Sequence, residues 1–164
     1  MAHESRLDAE ARRVLETRRT AALATADAQG HPHASAVPFA YGLLQNAPCI
    51  VVLISGLAAH TRHMLSDDRV SILIVDQEVE GQPVHALSRL SISGVARKTQ
   101  RGSDDAKVLA QGYLRRFPEA AEIAELPDFR YVAVQPGSVR QVAGFGAARD
   151  ISIEAFAQLL RGLC

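Results

Sequence analysis

The chain has 164 residues, and its 18 Lys and Arg balance its 18 Asp and Glu to a formal net charge of zero. With no excess of basic residues to form an electrostatic footprint, nucleic-acid binding is set aside. Hydrophobic residues make up 48% and charged residues 22%, the balance of an ordinary globular chain, and the length reads as one domain over 1–164.

The elements follow in order. Residues 4–19 read as an amphipathic helix, because Leu7, Ala11, Val14, Leu15 and Arg18 recur at steps of three and four. Ser5 is its expected cap, with Asp8 three residues later. The charged N-terminal segment has no apolar run of the signal-peptide kind, and no stretch is long enough to span a membrane. A cytoplasmic location with no membrane partner is expected. "TAALATA" (20–26) reads as a strand and "DAQGHP" as a turn. "HASAVPFAY" (33–41) returns as a single strand, and "APCIVVLIS" (47–55) is a third, dense in β-branched residues.

A short helix is expected over 57–66, then a strand in "DDRVSILIVD". Over 85–95, Leu90 and Ile92 fall on one parity and Arg89 and Ser91 on the other. Residues 103–117 suit a helix, with Ser103 as cap and Pro118 as stop. "FRYVAVQ" and "VRQVAGFG" read as two strands around a "PGS" turn. Ser152 caps a last helix. Consecutive strands with short turns argue against a doubly wound parallel sheet. The expected class is mainly β (α+β), an antiparallel barrel of about six strands with peripheral helices.

The segment "SGLAAHTRHML" (55–65) carries most of the local chemistry. His60 and His63 share a helix face, and His31 and His33 share a strand face, so four histidines meet only if the turn and the helix meet. No accompanying metal motif is present, and no metal ligand is assigned. "GFGAAR" (144–149) lacks the third glycine of a dinucleotide-binding turn. Cys49 and Cys164 do not make a disulfide framework and read as free thiols. A strand ending at Ser55 and a helix starting near Leu57–Ala58 suit either an anion site or a plain capped helix. The dipole alone contributes about 0.3–1 kcal/mol, so a held anion needs side-chain donors.

"TRRTAALATADAQGHPHASAVPFAY" followed by "CIVVLISGLAAHTRHMLSDDRVSILIVD" resembles the pyridoxamine 5′-phosphate oxidase-like FMN-binding split barrels. "LSRLSISGVARK", "LPDFRYVAVQ" and "GFGAA" are similar to the haem-utilisation (HugZ-type) branch of that family. The resemblance implies a split antiparallel β-barrel and a homodimer with the cofactor at the subunit interface. It implies FMN as cofactor and a flavin-dependent oxidoreductase with an unknown substrate. By this resemblance Ser35, Ala36, Val37 and Pro38 lie along the flavin, largely through backbone. Ser55, Leu57, His60, Thr61 and Arg62 surround the phosphate, with His60 where the oxidases carry a lysine. Arg89 reaches the flavin edge or, in the haem branch, a propionate. The haem-degrading members carry a C-terminal histidine, and no histidine follows His85 here. On sequence, therefore, haem ranks as the alternative ligand. A non-catalytic dimeric binding module is the third reading.

Overall fold

A computed structural model of the chain describes residues 5–164. The first helix, α1 (Arg6–Thr17), opens as expected, with the Ser5 hydroxyl accepting from the Asp8 N–H; the expected start at residue 4 lies outside the described residues. Ala11, Val14 and Leu15 bury its apolar face. The strands that follow are β1 (Thr20–Ala26), β2 (Pro32–Pro38), β3 (Ala40–Leu44) and β4 (Ala47–Ser55). After α2 (Ala59–Ser66) come β5 (Arg69–Val75) and β6 (Arg89–Lys98). Helices α3 (Asp104–Arg116) and α4 (Ala121–Ala124) precede β7 (Phe129–Val142), β8 (Ala148–Ile151) and α5 (Ile153–Arg161). Ser103 and Ser152 cap α3 and α5 through the N–H groups of Ala106 and Ala155.

All eight strands among the described residues pair antiparallel in one sheet, in the order β2-β1-β5-β6-β7-β4-β3, with β8 on β7. The expected strand over 33–41 is two strands. Its two halves sit at opposite ends of that order, and only Phe39 joins them. This single residue therefore links the two ends of the sheet and closes it into a barrel. Phe39 is fully buried, and its N–H donates to the Arg19 carbonyl at 3.2 Å.

The expected "PGS" turn is also absent. β7 runs straight through Pro136 and Gly137, because β6 pairs along almost its whole length. The pairing slips at Ser93/Gly94, where Ser138 and Pro136 become partners and Gly137 is the extra residue. A bulge is where a strand tolerates a proline without an N–H. Gly94 is required there, since a Cβ would stand 2.1 Å from the Gln135 carbonyl oxygen. The expected strand over 85–95 begins only at Arg89, after a 3₁₀ turn at Val84–Ala86. β8, missed in the sequence, raises the count above the expected six.

Two apolar clusters result. One fills the barrel, with Leu23, Val37, Ile50, Ile72 and Ile92 from the strands and Leu15 and Phe156 from α1 and α5. The other lies outside it, where Leu109, Tyr113 and Phe117 cover Ala40, Cys49, Val51 and Ala133. No helix among the described residues is long and apolar enough to cross a membrane.

Candidate functional site

The residues singled out in the sequence fall into two groups, on opposite faces of β2. Strand side chains alternate between faces. Val37 is buried in the barrel, so Ser35 and His33 share its inward parity, while Ala34, Ala36 and Pro38 are exposed on the outside. The Val37 side chain is therefore turned into the core and away from that outer face.

The inward group meets α2 at the end of the barrel. His60 Nδ1 pairs with the Ser35 hydroxyl at 3.0 Å, and His63 Nδ1 with the Thr25 hydroxyl at 3.0 Å. The His33 ring stands edge-on to that of His63, with centroids 5.2 Å apart. Turn and helix thus do meet, through three of the four histidines. His31 turns away to Asp27, whose carboxylate it approaches at 3.0 Å. Among the described residues no cluster of His, Cys, Asp and Glu is arranged to hold a metal ion.

Burial, and then the neighbouring charges of His33 and His63, lower the pKa of His60. At neutral pH it is an uncharged imidazole. Its Nε2 is buried with no hydrogen-bond partner.

The turn after β4 is tied down by its own hydrogen bonds. The Ser55 hydroxyl donates to Asp128 Oδ2 at 2.5 Å and accepts from the Leu57 N–H at 3.1 Å. The Gly56 N–H donates to the Asp128 carbonyl at 2.6 Å. The buried Thr61 hydroxyl donates to the Ser55 carbonyl at 2.6 Å. Arg62 donates to the Leu57 carbonyl at 2.9 Å, and the Leu57 side chain is 79% exposed. α2 begins two residues later than expected, and its cap position is Ala58, whose side chain makes no capping bond.

Of the outward group, Ala34 and Ala36 line a groove of about 700 Å³ across β1, β2 and β5, and Pro38 lies outside its lining. Its floor is Ala22, Ala34, Ala36, Leu73 and Val75, with Ser35 at its edge. Leu87, Asp76 and Glu78 complete one wall, and Arg18 stands at the rim. Arg18 Nε is buried without a hydrogen-bond partner. Arg89 is the cross-strand partner of Val75 and therefore shares the outer face beside the groove; its guanidinium donates to the Leu87 carbonyl at 3.1 Å. Sequence reasoning did not single out Arg18 for this role, because it read as one more position in the helical stripe. It also passed over Thr25 and Asp128, whose roles exist only through partners 38 and 73 residues distant.

Comparisons with known proteins agree with this architecture. The protein is 36% identical over 151 residues to the haem oxygenase HutZ of Vibrio cholerae, a match covering 91% of this chain and 83% of that protein. A haem-binding protein from Mycobacterium smegmatis superposes with a TM-score of 0.79 at 31% identity over 96% of this chain; the chain spans only 62% of that protein. The crystal structure of V. cholerae HutZ, there described as a haem storage protein, matches with a TM-score of 0.69 at 35% identity, over 80% of this chain and 91% of the other. A family profile described as pyridoxamine 5′-phosphate oxidase matches residues 7–143, and with most of its length so matched the chain belongs to that family.

Proposed function

We propose that this protein binds haem on the outer face of β1, β2 and β5, at the interface of a homodimer. The groove there carries the proposal. A planar macrocycle needs a broad apolar floor without tall side chains, and Ala22, Ala34 and Ala36 supply one. The guanidinium of Arg18, with its Nε unpartnered, suits a propionate carboxylate. Arg89 lies on the same face for a second carboxylate. When bound, haem supplies a redox-active iron. The chain's part is to hold the ring flat, exclude water from its face and neutralise its carboxylates.

Two observations favour haem over FMN. The similar proteins described above are named for haem. In addition, the side chains around the expected phosphate position are committed elsewhere. His60 favours its neutral form, and Thr61 and Arg62 donate to backbone carbonyls of their own turn. A phosphate dianion there would have to displace those bonds.

The test is a pair of titrations of the purified protein. Haemin is expected to give a saturable Soret shift, while FMN fluorescence stays unquenched. Quenching of FMN with no Soret shift would overturn the haem reading and restore the flavin one. Bleaching of the Soret band by ascorbate in air separates a haem-degrading enzyme from a haem carrier.

A further inference from the structure

The two cysteines lie far apart in the sequence, yet the fold brings both thiols to one atom. Cys49, buried on β4, donates its S–H to the Gly42 carbonyl oxygen at 3.4 Å. Cys164, beyond the end of α5, donates to the same oxygen at 3.5 Å. Gly42 is the cross-strand partner of Cys49 on β3. Cys164 is held in place. Its N–H donates to the Leu160 carbonyl at 3.1 Å, and its carbonyl accepts from Arg115 of α3. In the last turn of α5, Arg161 donates to the Asn46 carbonyl, at the β3–β4 turn, at 2.8 Å. The segment carrying Cys164 is therefore anchored on both sides of the thiol pair.

We propose that Cys49 and Cys164 form an intramolecular disulfide when the protein meets a peroxide, fastening the end of α5 to the barrel. The two thiols differ in a way that orders the steps. Cys164 is only partly buried; burial raises its thiol pKa, and the charges of Arg115 and Arg161 pull against that rise. Cys49 is sealed in the core, and burial pushes its thiol up to about 12. Peroxide therefore meets Cys164 first. The Cys164 sulfur attacks the O–O bond, which breaks; a sulfenic acid forms and one water leaves. The Cys49 sulfur then attacks the Cys164 sulfur, the S–S bond forms and the S–OH bond breaks. The displaced hydroxide takes the Cys49 proton and leaves as a second water. The peroxide gains two electrons and the thiol pair loses two.

The link has a mechanical consequence. Phe156, Leu159 and Leu160 of α5 are part of the barrel core. A bond at Cys164 closes a loop of more than a hundred residues and holds that helix shut.

The experiment treats the folded, reduced full chain with hydrogen peroxide and maps its peptides without reductant. The expected result is joint loss of both thiols, a mass lowered by two hydrogens, and one peptide joining the Cys49 and Cys164 segments. Dithiothreitol should reverse all three. The oxidised chain should melt several degrees higher than the reduced one. In Cys164→Ser, Cys49 should stay a free thiol under the same treatment. Wild-type protein in which Cys164 gains oxygen while Cys49 remains free would overturn the proposal. So would disulfides found only between chains. The wild-type map needs no variant, so a misfolded Cys49→Ala would not blunt the test.

Discussion

His60 gains its properties from where it is buried. Its ring is desolvated against Ser35, with His33 and His63 close by, and the folded protein therefore resists protonating it. The unfolded chain takes up this proton near pH 6.5. Below that pH the unfolded state binds more protons than the folded one, so stability falls as pH drops. Melting temperature should decline more steeply between about pH 7.5 and pH 5.5 in the wild type than in His60→Asn. The carboxylates Asp8, Glu10, Asp27, Asp67 and Asp76 are also lowered. They act only within the more acidic carboxylate range, so they leave this window clear. Identical slopes in the two proteins would show that His60 is not the group responsible. Arg18 makes a second case. Arg18→Met keeps the aliphatic stem but removes the charge. It should weaken haemin binding about tenfold, one lost charge-assisted bond, with little change in melting temperature. Unchanged haemin affinity would remove Arg18 from the proposed site.

Among the elements, α3 is placed by what it lacks. Gly112 lies in the middle of this helix, where alanine is ordinarily better by about 1 kcal/mol. Here a Cβ would stand 2.2 Å from the Tyr41 carbonyl oxygen, a backbone atom of β3 that cannot swing aside. Gly112→Ala should therefore destabilise the protein, by about 1–3 kcal/mol, seen as a lowered urea midpoint. A raised midpoint would mean that helix propensity outweighs the packing of α3 on β3. The same contact explains why the outer cluster around Leu109 and Tyr113 is dense enough to bury Cys49 completely.

For the whole molecule the decisive surface is the outer face of β1, β2 and β5. A barrel of this size needs no further covering there, yet the face carries alanines and Leu73 where charged residues would keep it solvated. Ala36→Arg puts a bulky charge at its centre without touching the core. The variant should sediment as a monomer at micromolar concentration and bind haemin at least about tenfold more weakly. Its thermal stability apart from dimerisation should change by no more than about 0.5 kcal/mol. A wild-type chain that is already monomeric would overturn the proposed homodimer, and a variant that remains dimeric would place its interface elsewhere.

Local chemistry was enough for much of this protein. The caps at Ser5, Ser103 and Ser152, the span of β4 and the inward parity of Leu90 and Ile92 all rest on neighbours within a few residues. Such features are legible because propensity, capping and alternation act over one turn or one strand. The motif ensemble extended that reach to the family and its barrel. Three features depended on partners far along the chain. The break at Phe39 exists because β2 pairs with β1 while β3 pairs with β4. The continuity of β7 through Pro136 exists because β6 lies beside it and absorbs the irregularity in a bulge. The division of the expected site, with His60 and Thr61 under the barrel's end and Ala36 and Arg89 outside it, follows from the face that β2 turns inward. A strand's own sequence states that its faces differ, but only the packing around it decides which face meets the core and which is left for a ligand.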